Sequence, residues 1–293
     1  MRQSGKVIDG QRLTWAAMVA PTVVLLILVN IIPLFSAVNS AFHNSTLLNT
    51  GEFVGVQNFS EALADPAFWS AVRFTVIFVA SGVFGGWIVG FALALTLRST
   101  LFGKSAFRLL LLLPWVVPIV VSARSWNFLT ASQSSLIPQL FTHLGWGDGL
   151  LLADPTTAAI TVCVYKIWCT FPFMMVMAAS ALEAVDESVY EASVLDGAGR
   201  WQQLVWVVLP LVARPTYISW LLMGIFCVND FPTIYLLTGG GPVGATTTVV
   251  VYAYQQMFQN LQLGQGVAIA LIMTVVVALV AVVFYRQIRR AHV

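Results

Sequence analysis

The chain has 293 residues, of which 59% are hydrophobic and only 9% are charged. Ordinary soluble domains carry about 25% charged residues, so this composition excludes a typical soluble protein and favours one membrane domain of several spans. The formal net charge of +2 is too small to indicate nucleic-acid binding. The three cysteines lie in apolar stretches without a CxxC pair or a histidine cluster, so we expect buried apolar side chains rather than a metal site or disulfides.

Six apolar segments are long enough to cross a bilayer, because a spanning helix needs about 20 mostly apolar residues. We place these spans at residues 13–38, 70–97, 106–129, 156–182, 215–237 and 266–288. The first is longer than the apolar region of a cleaved signal peptide, which has about 7–15 residues, so we expect it to be retained. The sequence therefore predicts an all-α integral membrane protein with about six transmembrane helices in a single domain, residues 1–293.

Positive charges alternate between the connections in a way that predicts the orientation of the spans. The intervening loops at residues 43–69, 130–155 and 238–248 contain no Lys or Arg, and Arg73 alone lies near an outer end, where it can snorkel. Cytoplasmic connections of membrane proteins are enriched in Lys and Arg, so both termini are predicted to be cytoplasmic. The charges on that side are Arg2, Lys6, Arg12, Arg98, Lys104, Arg108, Arg200, Arg214, Arg286, Arg289 and Arg290.

The predicted cytoplasmic loop at residues 183–214 is long and rich in charge. Ser188 and Glu191 have the spacing of a capping box, in which Ser188 would cap a helix and Glu191 would reach back to its N–H. Asp196-Gly197 follows, and glycine can adopt the left-handed conformation that ends a helix. The loop is therefore expected to hold a short helix, which either packs under the bundle or docks a cytoplasmic partner.

Residues in this loop resemble the EAA motif of binding-protein-dependent ABC permeases. The motif spacing is met by Glu191-Ala192-Ser193, then Gly197 after three residues, Val207 after nine more and Leu209-Pro210 after one more. Ser193 and Val207 stand where the motif usually has alanine and isoleucine. The outer segment 53–69 and the run Tyr235–Pro242 (YLLTGGGP) are similar to the first permease of maltose and glycerol-3-phosphate importers. The resemblance implies an ATPase-coupling surface made of Ser188, Glu191, Ala192, Ser193, Asp196, Gly197, Leu209 and Pro210.

The resemblance implies a type I ABC importer permease fold and the import of a sugar or sugar derivative by alternating access. The implied partners are a second homologous permease, two ATPase subunits and an extracytoplasmic solute-binding protein, in the cytoplasmic membrane of a bacterium or archaeon. ATP and Mg would bind the ATPase subunits, and this chain would bind no cofactor and catalyse no reaction. Gly103-Lys104-Ser105 looks like the end of a P-loop, but Arg98 occupies the required earlier glycine position.

Three ionisable residues, Arg124, Lys166 and Asp230, lie within predicted spans, where buried charge is costly and often functional. Asp230 either neutralises Arg124 or Lys166 as a structural lock, or these groups bind substrate hydroxyls. Aromatic and polar residues nearby would suit a sugar, although Trp and Tyr are also ordinary interface anchors. The proposed substrate path consists of Arg124, Trp126, Tyr165, Lys166, Trp168, Asn229, Asp230 and Tyr235.

Other function classes stay open on the residues alone. An ABC permease for peptides, polyamines or phosphate would have the same spans and coupling loop. A membrane enzyme would need a cluster of acidic or histidine side chains at a loop edge, whereas His43, His143 and His292 are isolated. An ion channel would need a pore loop or rings of charge, and neither is evident. The sequence does not name the sugar.

Overall fold

A computed structural model describes residues 4–98 and 103–290, with side-chain surroundings for 15–98 and 103–289, so Arg2 and His292 lie outside the described residues. Within these ranges the chain is helical, and the single β-bridge joins His43 to Phe53. Four π-helical segments, Ile27–Ile31, Ser81–Gly85, Gln203–Val208 and Gln255–Gln259, adjoin α-helices. The α-helices are α1 (Ser4–Leu26), α2 (Ile32–Ala41), α3 (Gln57–Ala64), α4 (Pro66–Ala80), α5 (Gly86–Thr96), α6 (Lys104–Val116), α7 (Ile119–Thr130), α8 (Leu136–His143), α9 (Pro155–Glu183), α10 (Glu187–Leu195), α11 (Arg200–Gln202), α12 (Leu209–Leu211), α13 (Ala213–Val228), α14 (Phe231–Leu237), α15 (Val249–Tyr254) and α16 (Leu263–Arg290).

Six helical stretches in the described part of the chain are long and apolar enough to span a membrane, if each bent pair counts as one span. Four are continuous, at Trp15–Ala41, Pro66–Thr96, Pro155–Glu183 and Leu263–Arg289. Two are bent, by 91° between α6 and α7 and by 68° between the 200–211 stretch and α13. The prediction of an all-α membrane protein with about six spans is confirmed.

Two predicted spans, 106–129 and 215–237, are not continuous helices. The first is interrupted at Val117, whose extended backbone has ψ of 129°, because the ring of Pro118 disfavours the helical conformation in the residue before it. The second is interrupted between α13 and α14, at Asn229 and Asp230. Both interruptions leave backbone N–H and C=O groups without partners in a continuous helix. At the second interruption, the Asp230 side chain caps the helix that follows, α14.

The described residues divide into two compact units. Residues 4–62 and 255–271 form the first. Within it, the buried Asn58 side chain donates hydrogen bonds to the carbonyl oxygens of Ala41 at 2.8 Å and His43 at 2.9 Å, which fastens α3 to the end of α2. Gly264 lies against the carbonyl oxygens of Ser40 and His43, where a Cβ atom would clash.

Residues 63–254 and 272–290 form the second unit, which is built around α9. The segment from Gly82 to α5 packs closely on α9 because glycines face it one turn apart. A Cβ on Gly90 would lie 2.6 Å from the Met175 nitrogen, and one on Gly86 would overlap the Thr170 hydroxyl. Thr170 in turn donates a hydrogen bond to the Gly82 carbonyl at 2.8 Å. Small residues allow such close approach between membrane helices, so α5 and α9 form a tightly packed pair.

Candidate functional site

Helix α10 lies in the loop between residues 183 and 214 and begins with a side-chain cap. The cap is Asp186, whose carboxylate accepts a hydrogen bond from the Ser188 N–H at 2.9 Å. The prediction that Ser188 caps the helix is therefore wrong, and its N–H is bonded to Asp186 rather than to Glu191. The short Asp side chain on extended backbone, with ψ of 136°, reaches the N–H two residues on. This backbone hydrogen bond lowers the pKa of Asp186.

The other end of α10 is closed at the predicted glycine. Gly197 has φ of +78°, a conformation that glycine adopts at low cost and other residues rarely adopt. Its N–H donates to the Val194 carbonyl at 3.0 Å, and the Ala198 N–H donates to the Ser193 carbonyl at 3.0 Å. The Asp196 N–H bonds the Ala192 carbonyl at 3.0 Å. With both ends hydrogen-bonded, α10 is a well-defined short helix rather than an irregular loop.

The two faces of α10 differ in their surroundings. Ser193 is buried and donates its hydroxyl hydrogen to the Tyr190 carbonyl at 2.7 Å, so the hydroxyl that replaces the usual alanine methyl is satisfied. Glu191 and Ala192 are exposed. Val194 and Leu195 are also exposed, Leu195 by 88%, and large apolar side chains this exposed are suited to contact another surface.

Leu209 and Pro210 lie after this helix, where the chain turns into α13. Val208 and Val212 on either side are buried in a cluster with Phe91 of α5 and Met175 and Leu182 of α9. Pro210 itself is exposed in the short helix α12, just before the 68° bend. The loop that holds α10 is therefore anchored to α5 and α9 by apolar packing as well as by its own ends.

A groove of about 480 Å³ opens at the bend between α6 and α7. It is also lined by the middle of α9 and by the interruption between α13 and α14. Its size falls in the range of small-molecule sites, about 300–1,000 Å³. The lining combines two aromatic side chains with polar groups from three helices and the α13–α14 break: Trp115, Ser122, Lys166, Thr170, Phe226, Asn229, Asp230 and Thr233.

A buried ion pair forms part of this groove. Lys166 Nζ lies 2.6 Å from Asp230 Oδ2, and both side chains are almost fully buried. The Asp230 carboxylate also accepts hydrogen bonds from the Thr233 hydroxyl at 2.6 Å and the Thr233 N–H at 3.1 Å, so it caps α14. Asp230 thus pairs with Lys166, whereas Arg124 is exposed on α7.

The residues predicted for the substrate path do not all meet. Lys166, Asn229 and Asp230 line the groove. Trp126, Tyr165 and Trp168 instead pack on one another, with centroid separations of 5.4, 5.7 and 6.0 Å, and Tyr165 is fully buried with its hydroxyl 2.8 Å from Ser122 Oγ.

Tyr235 lies outside the groove as well. It stacks on Phe231 at 4.9 Å and contacts Tyr254 at 5.4 Å. Several lining residues, Trp115, Ser122, Thr170, Phe226 and Thr233, were not predicted from the sequence. The signal that could have found the first two was the proline pair Pro114 and Pro118, whose spacing places a helix break beside them.

A multi-pass helical domain with interrupted helices around a polar groove, and a capped helix in a loop between two spans, is the architecture of a membrane permease. Residues 82–292 match the family described as binding-protein-dependent transport system inner membrane component. This match covers well over half of the chain, and the chain belongs to that family.

Curated relatives with named substrates match over nearly the full length. The sulfoquinovosyl glycerol transport system permease SmoG of Agrobacterium fabrum is 29% identical over 282 residues, which is 96% of this chain and 92% of the relative. The trehalose/maltose transport system permease MalF of Thermococcus litoralis is 30% identical over 275 residues, covering 93% and 92%. The trehalose permease SugA of Mycobacterium tuberculosis is 28% identical over 271 residues, covering 92% and 86%.

The fold also matches a solved transporter. A crystal structure of a bacterial ABC transporter involved in alginate import contains a chain that superposes with a TM-score of 0.83, covering 98% of this chain and 99% of that one at 19% identity. At this identity the match establishes the fold alone, which this chain shares with a chain of that transporter.

Proposed function

We propose that this chain is the transmembrane permease subunit of an ATP-driven importer that moves a sugar or sugar derivative into the cell. The observation that carries the proposal is α10, a helix closed at both ends in the loop that matches the EAA motif, with Val194 and Leu195 exposed. The sugar class is supported by the relatives named for sulfoquinovosyl glycerol, trehalose and maltose.

In this proposal α10 docks in a cleft of an ATPase subunit, and closure of two ATP-bound ATPase subunits moves the permease. A helix with satisfied ends transmits displacement, whereas a loop with free backbone groups would deform. The coupling surface comprises Glu191, Ala192, Val194 and Leu195 on the exposed face, with Asp186 and Gly197 fixing the ends. ATP and Mg bind the ATPase partners, and a second homologous permease and a solute-binding protein complete the assembly.

The groove at the α6–α7 bend is the proposed place where substrate passes. Sugars present apolar ring faces and many hydroxyls, and the groove offers Trp115 and Phe226 beside the exposed amide of Asn229. Lys166 and Asp230 neutralise each other and hold α14 in place, so they shape the groove wall. The loop at residues 183–214 and both termini face the cytoplasm of a bacterial or archaeal cell.

The direct test is purification of the tagged chain from native membranes with its bound partners, followed by reconstitution in proteoliposomes. ATP-dependent uptake is measured for trehalose, maltose, glycerol 3-phosphate, a dipeptide and spermidine. We expect an ATPase to co-purify and at least one of trehalose, maltose and glycerol 3-phosphate to accumulate. Uptake of only the peptide or polyamine would refute the sugar assignment, and full transport without any bound ATPase would refute the coupling role.

A further inference from the structure

An aromatic–cation contact joins α10 to the end of α5. The guanidinium carbon of Arg98, two residues beyond α5, lies 4.1 Å from the centroid of the Tyr190 ring in the middle of α10. A guanidinium within about 6 Å of a ring centroid is attracted by the negative face of the ring. This contact links two segments that are 92 residues apart along the chain.

The Tyr190 ring is held in place from its other sides. It packs against the buried cluster that contains Ala94 of α5, Leu182 of α9 and Val212. Its hydroxyl oxygen is buried and makes no hydrogen bond within the described part of the chain. The ring, rather than the hydroxyl, therefore accounts for the contacts that Tyr190 makes in this conformation.

The contact changes how α10 is attached to the bundle. Along the chain, α10 is joined to α9 by the short link Ala184–Asp186, and its other end continues through Gly197 into α11. Arg98 adds an attachment near the middle of α10, from the end of a different helix, α5. Since α5 packs tightly on α9 through Gly86 and Gly90, the two attachments fix α10 to one helix pair.

We propose that Tyr190 and Arg98 are positioning residues that convert movement of α10 into movement of the α5–α9 pair. This inference rests on the proposed function, because it requires that an ATPase displaces α10. With the contact intact, α10 and the helix pair move together. Without it, α10 is displaced without α5 following, and ATP is hydrolysed without a matching displacement of α9, which lines the groove.

The test is the amount of sugar transported per ATP hydrolysed by the purified complex in proteoliposomes. The probe is whichever of trehalose, maltose and glycerol 3-phosphate gives the greatest uptake with the unmodified complex. We expect Tyr190→Leu and Arg98→Ala each to lower this ratio about two- to fivefold, the size of effect expected for the loss of one cation–π contact with an exposed guanidinium. ATPase co-purification stays unchanged, and the double variant is no worse than either single variant.

Tyr190→Phe is the conservative variant, and it should keep the ratio near the unmodified value because the ring is retained. Tyr285→Leu is the matched control, since Arg289 lies 5.4 Å from the Tyr285 ring within the single helix α16 and joins no second element. Arg98 is exposed, so Arg98→Ala preserves the fold even if Tyr190→Leu does not.

An unchanged ratio in Arg98→Ala overturns the inference, as does an equal loss in Tyr190→Phe and Tyr190→Leu. These failures are distinct from failure of the proposed function, in which the unmodified chain binds no ATPase at all.

Discussion

Lys166 and Asp230 are 64 residues apart in the chain, and their side chains form an ion pair of 2.6 Å that is almost completely buried. Asp230 also accepts two hydrogen bonds from Thr233 and caps α14. One carboxylate therefore neutralises a lysine on α9 and caps α14, the helix that begins after the interruption. The pair fixes the groove wall at the point where a continuous helix was predicted.

Removing one partner of this pair should destabilise the protein strongly. Lys166→Met leaves the Asp230 carboxylate buried without its counter-ion, and breaking a buried pair costs about 3–5 kcal/mol. The double variant Lys166→Met, Asp230→Asn removes both charges and should recover more than half of that loss. Thermal unfolding of the detergent-purified chain compares the unmodified protein with these two variants. Arg124→Met is the control, because Arg124 is exposed and should show no coupling to Asp230.

Packing between α5 and α9 should be sensitive to single methyl groups. A Cβ on Gly90 would lie 2.6–2.9 Å from backbone atoms of Phe171, Met174 and Met175, which cannot rotate away. Overpacking of this kind costs about 1–3 kcal/mol. Gly90→Ala is therefore expected to lower the melting temperature of the purified chain.

Gly224→Ala is the matched control for Gly90→Ala. The nearest heavy atom to a Cβ at that position is 4.0 Å away, which is ordinary contact distance. Equal melting temperatures for the two alanine variants would contradict the close packing of α5 on α9.

The left-handed turn after α10 should be required for ATPase binding. Alanine at Gly197 would have to adopt φ of +78°, at a cost of about 1–2 kcal/mol, although open space surrounds the position. Gly197→Ala, and more strongly Gly197→Leu, should reduce the ATPase that co-purifies while membrane insertion is unchanged.

Gly199→Ala provides the comparison two residues further on. Gly199 has an ordinary φ of −67°, and its nearest neighbour would be 3.6 Å from an added Cβ. Undiminished ATPase in the Gly197 variants, or the same loss in Gly199→Ala, would show that the turn does not determine docking.

The first turn of α10 should depend on Asp186 and not on Ser188. Asp186→Ala removes the acceptor for the Ser188 N–H, so the amides of residues 188–191 should exchange hydrogen faster. Ser188→Ala should leave their exchange unchanged. Mass spectrometry of the detergent-purified chain measures both, and faster exchange in Ser188→Ala would restore the original capping-box assignment.

The same cap has a predictable pH dependence. Folding lowers the pKa of Asp186, so the carboxylate contribution is complete above the ordinary aspartate value of about 3.9 and is lost as the pH falls through the lowered pKa. Between pH 6 and 8, the difference in amide protection between the natural chain and Asp186→Asn should therefore be constant. A difference that changes across this range would assign the effect to another group.

Local features of the chain were predictable from its sequence. The apolar segments identified a membrane protein because burial of about 20 apolar residues per span is a property of each segment alone. Gly197 closes α10 as expected, because a left-handed residue at a helix end depends on that residue and its neighbours. The prediction that Ser188 caps α10 was wrong, although a cap is also a local feature. Asp186 and Ser188 are both residue types that cap helices, and only the backbone conformation selects Asp186.

Partners that are distant in the chain were decided by the tertiary structure. The sequence determined that charges at residues 124, 166 and 230 lie within apolar segments, and that aromatic residues lie near them. Only packing decided that Asp230 pairs with Lys166, that Tyr165 is buried against Ser122, and that Arg124 is exposed. The physical reason is that hydropathy and helix ends are set within a few residues, whereas side-chain pairing depends on the rotation and bending of helices packed against one another.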